Sequence, residues 1–399
     1  MFGQSKKRVY LDWAAASPVS PRAERVFAAA LSACGNPSAV HAEARAARAV
    51  LDDARTKIAR LAEVRTEGVI FTSGATEANA LAILGSVRAR GVSGAHVLYQ
   101  AGAHASVIAA VKMLEQEGAR IEEIRLADVE SQITPDTVLI ALDAVNSETG
   151  EVFDTLSVRR VLDAHRARGG TALLHVDAAQ APRARGFTLA TLGADMVTLD
   201  AQKVGGVRGI GALLVRQGIT LRPLYGGGGQ EGGRRSGTES PALASAFATA
   251  LMECSEAKEK YTEKSARMRA NLIEHISGIE NMFVNEGKEK VSHILNVSLL
   301  GRDTDYLVAL LDTEGFAVAT RSACESSHSG RMTGLPAAEG TEAWQAGEGS
   351  RPVLALTNDV ERARTTLRIS WGPTTNERDL DLFADALIRN VRFLDENAI

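Results

Sequence analysis

The chain has 399 residues, 45% hydrophobic and 24% charged, which suits a globular protein with ample core. Lysine and arginine number 45 against 49 aspartates and glutamates, a net charge of −4, so no basic domain points to nucleic acid and none is expected as a partner. Three cysteines are too few for a disulfide framework, the N-terminus lacks the apolar segment of a signal peptide, and no apolar run reaches the roughly 18 residues of a membrane span, so the reading is a cytoplasmic protein without membrane association.

In chain order, Val69 to Thr72 reads as a strand and Glu77 to Val87 as the helix after it. Val97 to Tyr99 is a second strand, followed by a helix over Ser106 to Glu117. Strands follow at Val138–Val145, Ala172–Val176, Met196–Leu199 and Ile210–Val215, with a helix over Leu156–Arg168 between the first two. Alternation of this kind predicts an α/β fold with a mostly parallel central sheet, whose ligand lies beyond the carboxyl ends of the strands. From Ser240 to Ile276 the pattern is one long helix, with Leu243, Phe247, Leu251 and Cys254 on one stripe. A smaller α+β section follows, with strands at Ile294–Leu299 and Leu367–Ser370 and a closing helix that Thr374 and Glu377 cap. Residues 333–358 read as an inserted surface loop. The length exceeds one simple core, so we expect a large domain over 13–255 and a small domain made of 1–12 and 256–399.

Several short segments carry chemistry. Ser73-Gly74-Ala75-Thr76, between a strand and a helix, offers backbone amides and a hydroxyl to an anion; an ordinary turn is the alternative. Asp177, in His175-Val-Asp-Ala-Ala-Gln180, ends a strand and would point into the ligand crevice, where such a carboxylate suits a pyridinium nitrogen; a helix cap is the alternative. Lys203 lies between a buried strand and a glycine turn, a place where a lysine can be made nucleophilic. Residues 226–238 are glycine-rich and end in Arg235-Ser-Gly-Thr238. Cys324 stands among small polar residues and reads as an exposed thiol, with His328 near enough to aid its ionisation. Those two alone are too few ligands for a metal, and none is expected. Arg368 suits a substrate carboxylate, against the default of a structural ion pair.

Together and in this order, the segments resemble the cysteine desulfurases of the class V aminotransferase group, whose fold is the type I fold of pyridoxal 5'-phosphate (PLP) enzymes. The resemblance runs from Tyr10-Leu11-Asp12 to the final helix, and includes Gly35-Asn36-Pro37-Ser38 with His41. Its most specific parts are SGATEAN at 73–79, HVDAAQ at 175–180, the lysine segment, GGGQE…RSGTE at 227–239, and SAC at 322–324. The resemblance implies PLP as cofactor and a type I fold with a large PLP-binding domain. It makes Lys203 the cofactor's covalent anchor, Asp177 the partner of its ring nitrogen, Gln180 a contact of its ring oxygen and His104 the residue stacked on its ring. Gly74, Ala75 and Thr76 would hold the phosphate, with the positions of Asp200 and Gln202 beside it. Thr238 would reach the phosphate of a second subunit, hence a homodimer. Asn36, Asn146, Ser147 and Arg368 would bind L-cysteine. Cys324 would accept the sulfur as a persulfide, leaving L-alanine, and pass it to an iron–sulfur scaffold or a tRNA-thiolation enzyme.

Three positions depart from the family pattern. Ser147 stands where asparagine is usual, Asp200 where serine is usual and Gln202 where histidine is usual. A carboxylate beside a phosphate repels it, so weaker cofactor retention is expected. The stretch from Cys324 to Arg368 is also longer than usual. An aminotransferase or lyase of the same fold would keep Lys203, Asp177 and Arg368 without needing Cys324. A non-catalytic partner protein would hold no cofactor.

Overall fold

The computed structural model describes residues 8–320 and 349–397. The chain divides into two compact units, one of residues 16–145 and 152–261, the other of residues 1–15, 146–151 and 262–399.

The larger unit is built on a seven-stranded sheet. Its strands lie in the order Val69–Thr72, Gly211–Val215, Met196–Asp200, Leu173–Asp177, Thr137–Asp143, His96–Gln100 and Arg120–Ile124. All neighbours run parallel except Gly211–Val215, which is antiparallel to both of its partners. The inner strands read as continuous apolar runs because helices cover both faces of such a sheet. Val97, Leu139, Leu173, Met196 and Leu213 form one cluster with Leu81, Val107, Val111 and Leu114 from the helices.

The strands expected from the apolar runs are present within a residue or two. The Arg120–Ile124 edge strand escapes that reading because its sequence, RIEEI, is polar, and only Ile124 is fully buried. Two helices in the first third, Pro21–Ala30 and Ala42–Ala62, are also additional to it. The second buries a stripe of Ala44, Ala47, Leu51, Ala54, Ile58 and Ala62, whose helical spacing is masked by its alanines. The helix expected over Glu77–Val87 runs from Ala75 to Arg88, with one wider turn at Leu81–Gly85.

The smaller unit has an antiparallel sheet, ordered Thr366–Ser370, Ile294–Leu299 and Met282–Val284. A short parallel pair, Val9–Tyr10 with Phe316–Ala317, continues onto its Thr366–Ser370 edge through single bridges, Asp12 with Ser370 and Ala319 with Arg368. Leu295, Val297, Leu367, Ile369 and Trp371 pack with Phe383, Leu387 and Leu394 of the closing helix. That helix spans Glu377–Asn397. Its cap is not the Thr374–Glu377 pair: Asn376 Oδ1 accepts from the Asp379 amide at 3.0 Å, and Asp379 Oδ2 accepts from the Asn376 amide at 3.2 Å. The box has shifted two residues because asparagine and aspartate satisfy the same two amides. Residues 351–357, expected in a surface loop, form a helix instead, with Ser350 as N-cap, a proline in its first turn and Asn358 in the left-handed conformation behind it. Buried Val353 anchors it.

Candidate active site

Four parallel strands of the larger unit end in polar residues: Gln100, Asp143, Asp177 and Asp200. All four are buried, Asp143 to 4% exposure and Asp177 to 7%. Asp143 and Asp177 are register partners on adjacent strands. Gln100 Oε1 accepts from the Asp143 amide at 2.9 Å, which ties a third strand end to the pair.

Asp177 is held on both oxygens. The Ala179 amide donates to Oδ1 at 2.9 Å and Asn79 Nδ2 donates to Oδ2 at 2.6 Å. Asn79 also donates to Ser106 Oγ at 2.9 Å. Ser106 in turn meets His104: its amide donates to Nδ1 at 3.2 Å, and its hydroxyl lies 2.8 Å from the same nitrogen. His104 is thereby the cap of the Ala105–Gln116 helix. Since Nδ1 accepts, the proton of the neutral imidazole sits on Nε2. The expected residues Asp177 and His104 are thus joined through Asn79, which lies in SGATEAN but has no role in the sequence reading.

Asp143 is a second residue which that reading missed. Burial and then the neighbouring Asp177 charge push its carboxyl up to about 8, against the opposing pull of His104. Its Oδ1 is buried and has no hydrogen-bond partner among the described residues. The signal in the sequence was an acid at the end of a long apolar run, as at Asp177. His175, behind Asp177 on the same strand, is fully buried, and burial lowers its pKa to about 4 despite Asp177; the ring meets Thr198 Oγ1 at 3.0 Å.

Lys203 lies in the short Ala201–Val204 helix that follows the Met196–Asp200 strand. Its carbonyl accepts from Arg183 Nε at 2.8 Å and from Ser17 Oγ at 3.0 Å, and the Gln202 carbonyl accepts from the Ser17 amide at 2.8 Å. The backbone under the lysine is therefore fixed from two sides. Gln180 is buried at 9% exposure, three residues beyond Asp177.

Gly74, Ala75 and Thr76 open the helix, as expected. Gly74 has φ +153°, in the range that favours glycine. A Cβ on Gly211 would meet Gly74 backbone at 2.8 Å, so the two glycines let the turn lie directly on the neighbouring strand. Thr76 is exposed at the first turn. The Ala75 amide, however, is already engaged: Asp200 Oδ2 accepts it at 3.0 Å, while Asp200 Oδ1 accepts the Gln202 amide at 3.0 Å.

Glu77 ties this turn to the glycine-rich loop. It accepts from Arg235 Nε at 2.9 Å, from the Tyr225 hydroxyl at 2.8 Å and from the Ser73 amide at 2.5 Å. Burial opposes its charge, yet Arg235, Ser73 and Tyr225 outweigh burial and hold the carboxyl down at about 2. A second anchor of the loop is Glu231, whose buried carboxylate takes both Arg55 nitrogens at 2.6 and 2.7 Å and the Phe71 amide at 3.0 Å. Thr238, beyond these anchors, is exposed. Asn36 is exposed too, and its Oδ1 accepts from the Ser38 amide at 2.9 Å.

Arg368, Asn146 and Ser147 belong to the smaller unit. Arg368 is 1% exposed, and donates to Asp12 Oδ1 at 2.7 Å and to the Ser147 carbonyl at 3.2 Å. Its Nε is buried without a hydrogen-bond partner among the described residues. Asn146 Oδ1 closes the Ser147–Thr149 turn by accepting the Glu148 and Thr149 amides at 2.9 and 3.0 Å. Cys324, with its neighbour His328, lies outside the described residues.

The donor set of the larger unit fits PLP: a buried, doubly held carboxylate for the ring nitrogen, a lysine on a fixed turn, and a glycine turn opening a helix for the phosphate. The discordant member is Asp200, a buried carboxyl group at that turn whose pKa burial raises.

Comparison with known proteins bears on the whole chain. The family model described as Aminotransferase class-V matches residues 9–383. Cysteine desulfurase IscS 1 of Archaeoglobus fulgidus is 31% identical over 389 residues, 95% of this chain and 95% of that protein. Cysteine desulfurase IscS of Dechloromonas aromatica is 32% identical over 409 residues, 98% of this chain and 94% of that one. Among solved structures, SspA in complex with cysteine has a TM-score of 0.74 at 28% identity, covering 92% of this chain and 99% of that one. A NifS-like protein, at 24% identity with TM-score 0.86, covers 97% of this chain and all of its own and shares the fold. Full-length similarity on this scale, with the expected α/β fold and its mostly parallel sheet, places the chain in the class V aminotransferase family, among the cysteine desulfurases.

Proposed function

We propose that this protein is a PLP-dependent cysteine desulfurase that converts L-cysteine to L-alanine and holds the sulfur as a persulfide on Cys324. The observation that carries the reading is the Asp177 carboxylate, buried at a strand end with both oxygens held, one strand away from the one that leads into Lys203. When bound, the cofactor supplies an electron sink for bonds at the substrate's α and β carbons. Asp177, with its oxygens held by Asn79 and the Ala179 amide, would partner the ring nitrogen. Lys203 Nζ anchors the cofactor and carries protons to and from the substrate carbons. His104 holds a proton at Nε2 and is fixed by Ser106 for stacking on the ring. Gly74, Ala75 and Thr76 hold the phosphate, with Gln180 at the ring oxygen and Asp200 and Gln202 alongside. Arg368, Asn146, Ser147 and Asn36 are the residues assigned to substrate. The Cys324 thiolate attacks the substrate sulfur, so an S–S bond forms as the C–S bond breaks.

The same reading makes the protein a homodimer, with Thr238 assigned to the phosphate bound by the partner subunit. The sulfur then goes to an acceptor protein, an iron–sulfur scaffold or a tRNA-thiolation enzyme. Among the described residues no helix is long and apolar enough to cross a membrane.

Purified protein with PLP, L-cysteine and a thiol reductant tests the reading. Alanine and sulfide should appear in equal amounts, and Cys324→Ala should abolish sulfide. Amino-group transfer that survives Cys324→Ala would instead indicate an aminotransferase of the same fold.

A further inference from the structure

Asp200 ends the Met196–Asp200 strand at 5% exposure, and its carboxylate takes the Ala75 amide at 3.0 Å and the Gln202 amide at 3.0 Å. A Cβ on Gly74 would sit 3.6 Å from the same Oδ2, so the carboxylate lies against the glycine turn itself. One of the amides that the cofactor reading gives to the phosphate therefore already has an anionic acceptor. A phosphate brought to this turn meets a buried carboxylate, which solvent screens little.

The surroundings offset that charge only in part. Burial is the largest influence on Asp200 and raises its pKa; the Ala75 amide, Lys203 and the Gln202 amide pull it down, and Asp177 pushes it up. On the helix that starts at Ala75, Glu77 adds another carboxylate, itself held by Arg235. His175, on the Leu173–Asp177 strand, is neutral near pH 7. The Val69–Thr72 and Gly211–Val215 strands carry no titratable side chain.

Resting on the cofactor reading, we infer that Asp200 takes up one proton when the cofactor phosphate binds, and that its carboxyl O–H then donates to the phosphate. The proton comes from solvent, no other bond forms or breaks, and the carboxylate is converted from a repulsive neighbour into a donor. This substitutes for the hydroxyl that the resemblance puts at this position. Cofactor affinity then depends on pH. In the window between the pKa of Asp200 without phosphate and its pKa with phosphate, affinity falls about tenfold per pH unit.

The test is calorimetric binding of PLP to the full chain, from about pH 6.5 to 8.5, in two buffers of different ionisation enthalpy. Wild type, Asp200→Asn and Asp200→Ser are compared, each with PLP and with pyridoxal, which lacks the phosphate. Wild type should take up close to one more proton per PLP than either variant. Its PLP affinity should drop about tenfold more per pH unit than theirs. Pyridoxal should give the same proton count in all three. Should neither variant fold, a larger proton uptake for PLP than for pyridoxal in wild type above about pH 7.5, where free PLP is already a dianion, carries the same expectation. PLP binding with equal proton uptake and parallel pH slopes in wild type and variants overturns the role of Asp200 and leaves the cofactor reading intact. No PLP binding by wild type at any pH overturns both.

Discussion

Asn79 reaches Asp177 across two elements: its Nδ2 lies 2.6 Å from Asp177 Oδ2, and the same nitrogen lies 2.9 Å from Ser106 Oγ, beside His104. Asn79 is fully buried, so its amide cannot exchange these acceptors for water. On the proposed reading, the helix that begins at the turn assigned to the phosphate thus also sets the carboxylate assigned to the ring nitrogen.

Asn79→Ala should therefore weaken PLP retention while leaving Lys203 and the phosphate turn in place. A hydrogen bond to a charged group contributes about 1.5–3 kcal/mol, so cofactor loss on dialysis should speed up roughly ten- to a hundredfold. Absorbance of the bound cofactor against time reads this directly. Unchanged retention would mean that the Ala179 amide alone fixes Asp177.

Glu77 links the Ser73–Thr76 turn to the loop that carries Thr238. Its folded-state pKa is depressed from 4.5 to about 2, so its contribution to stability is present above about pH 4.5 and lost as pH falls towards 2. Glu77→Gln should flatten the acid side of the stability profile and destabilise the protein at neutral pH by about 1–3 kcal/mol. Denaturant melts between those pH limits measure it. An acid limb identical to wild type would show that the Arg235 contact does not govern the titration.

Asp143 behaves in the opposite sense. Its pKa is raised to about 8, so between the ordinary carboxylate value and 8 the folded state binds the extra proton. Stability then falls as pH rises through that window, by at most about 1.4 kcal/mol per pH unit. Asp143→Asn removes the ionisable group and keeps the shape. Thermal melts of the two proteins at about pH 5 and 8.5 should show the variant gaining on wild type at the higher pH. A constant difference would place the Asp143 titration elsewhere.

Much of this was legible in the chain. The inner strands declared themselves as Val, Ile and Leu runs because a sheet covered on both faces needs no polar alternation. The acids at their ends, Asp177 among them, stand out for the same reason. Asp143 has the same signature but no motif around it. Asn79 sat inside a quoted motif, yet its partners are 27 and 98 residues away, and such pairings exist only after the sheet forms. The Asp200 substitution was visible as a conflict of charge. That its carboxylate accepts the Ala75 and Gln202 amides is set by the folded turn, where Asp200 Oδ2 lies beside Gly74. The polar edge strand and the alanine-striped helix lacked the hydrophobic contrast on which periodicity depends.

Sulfur transfer to Cys324 is the central claim, and a single turnover without reductant tests it most directly. PLP-loaded protein is mixed with L-cysteine in amounts equal to its sites, quenched, digested and mapped by mass spectrometry, with alanine counted in parallel. The expected result is one alanine per site and one added sulfur on the peptide containing Cys324, with the Cys34 and Cys254 peptides unmodified. Alanine formed while the sulfur appears only on Cys34 or Cys254, or no alanine at all, would contradict the account.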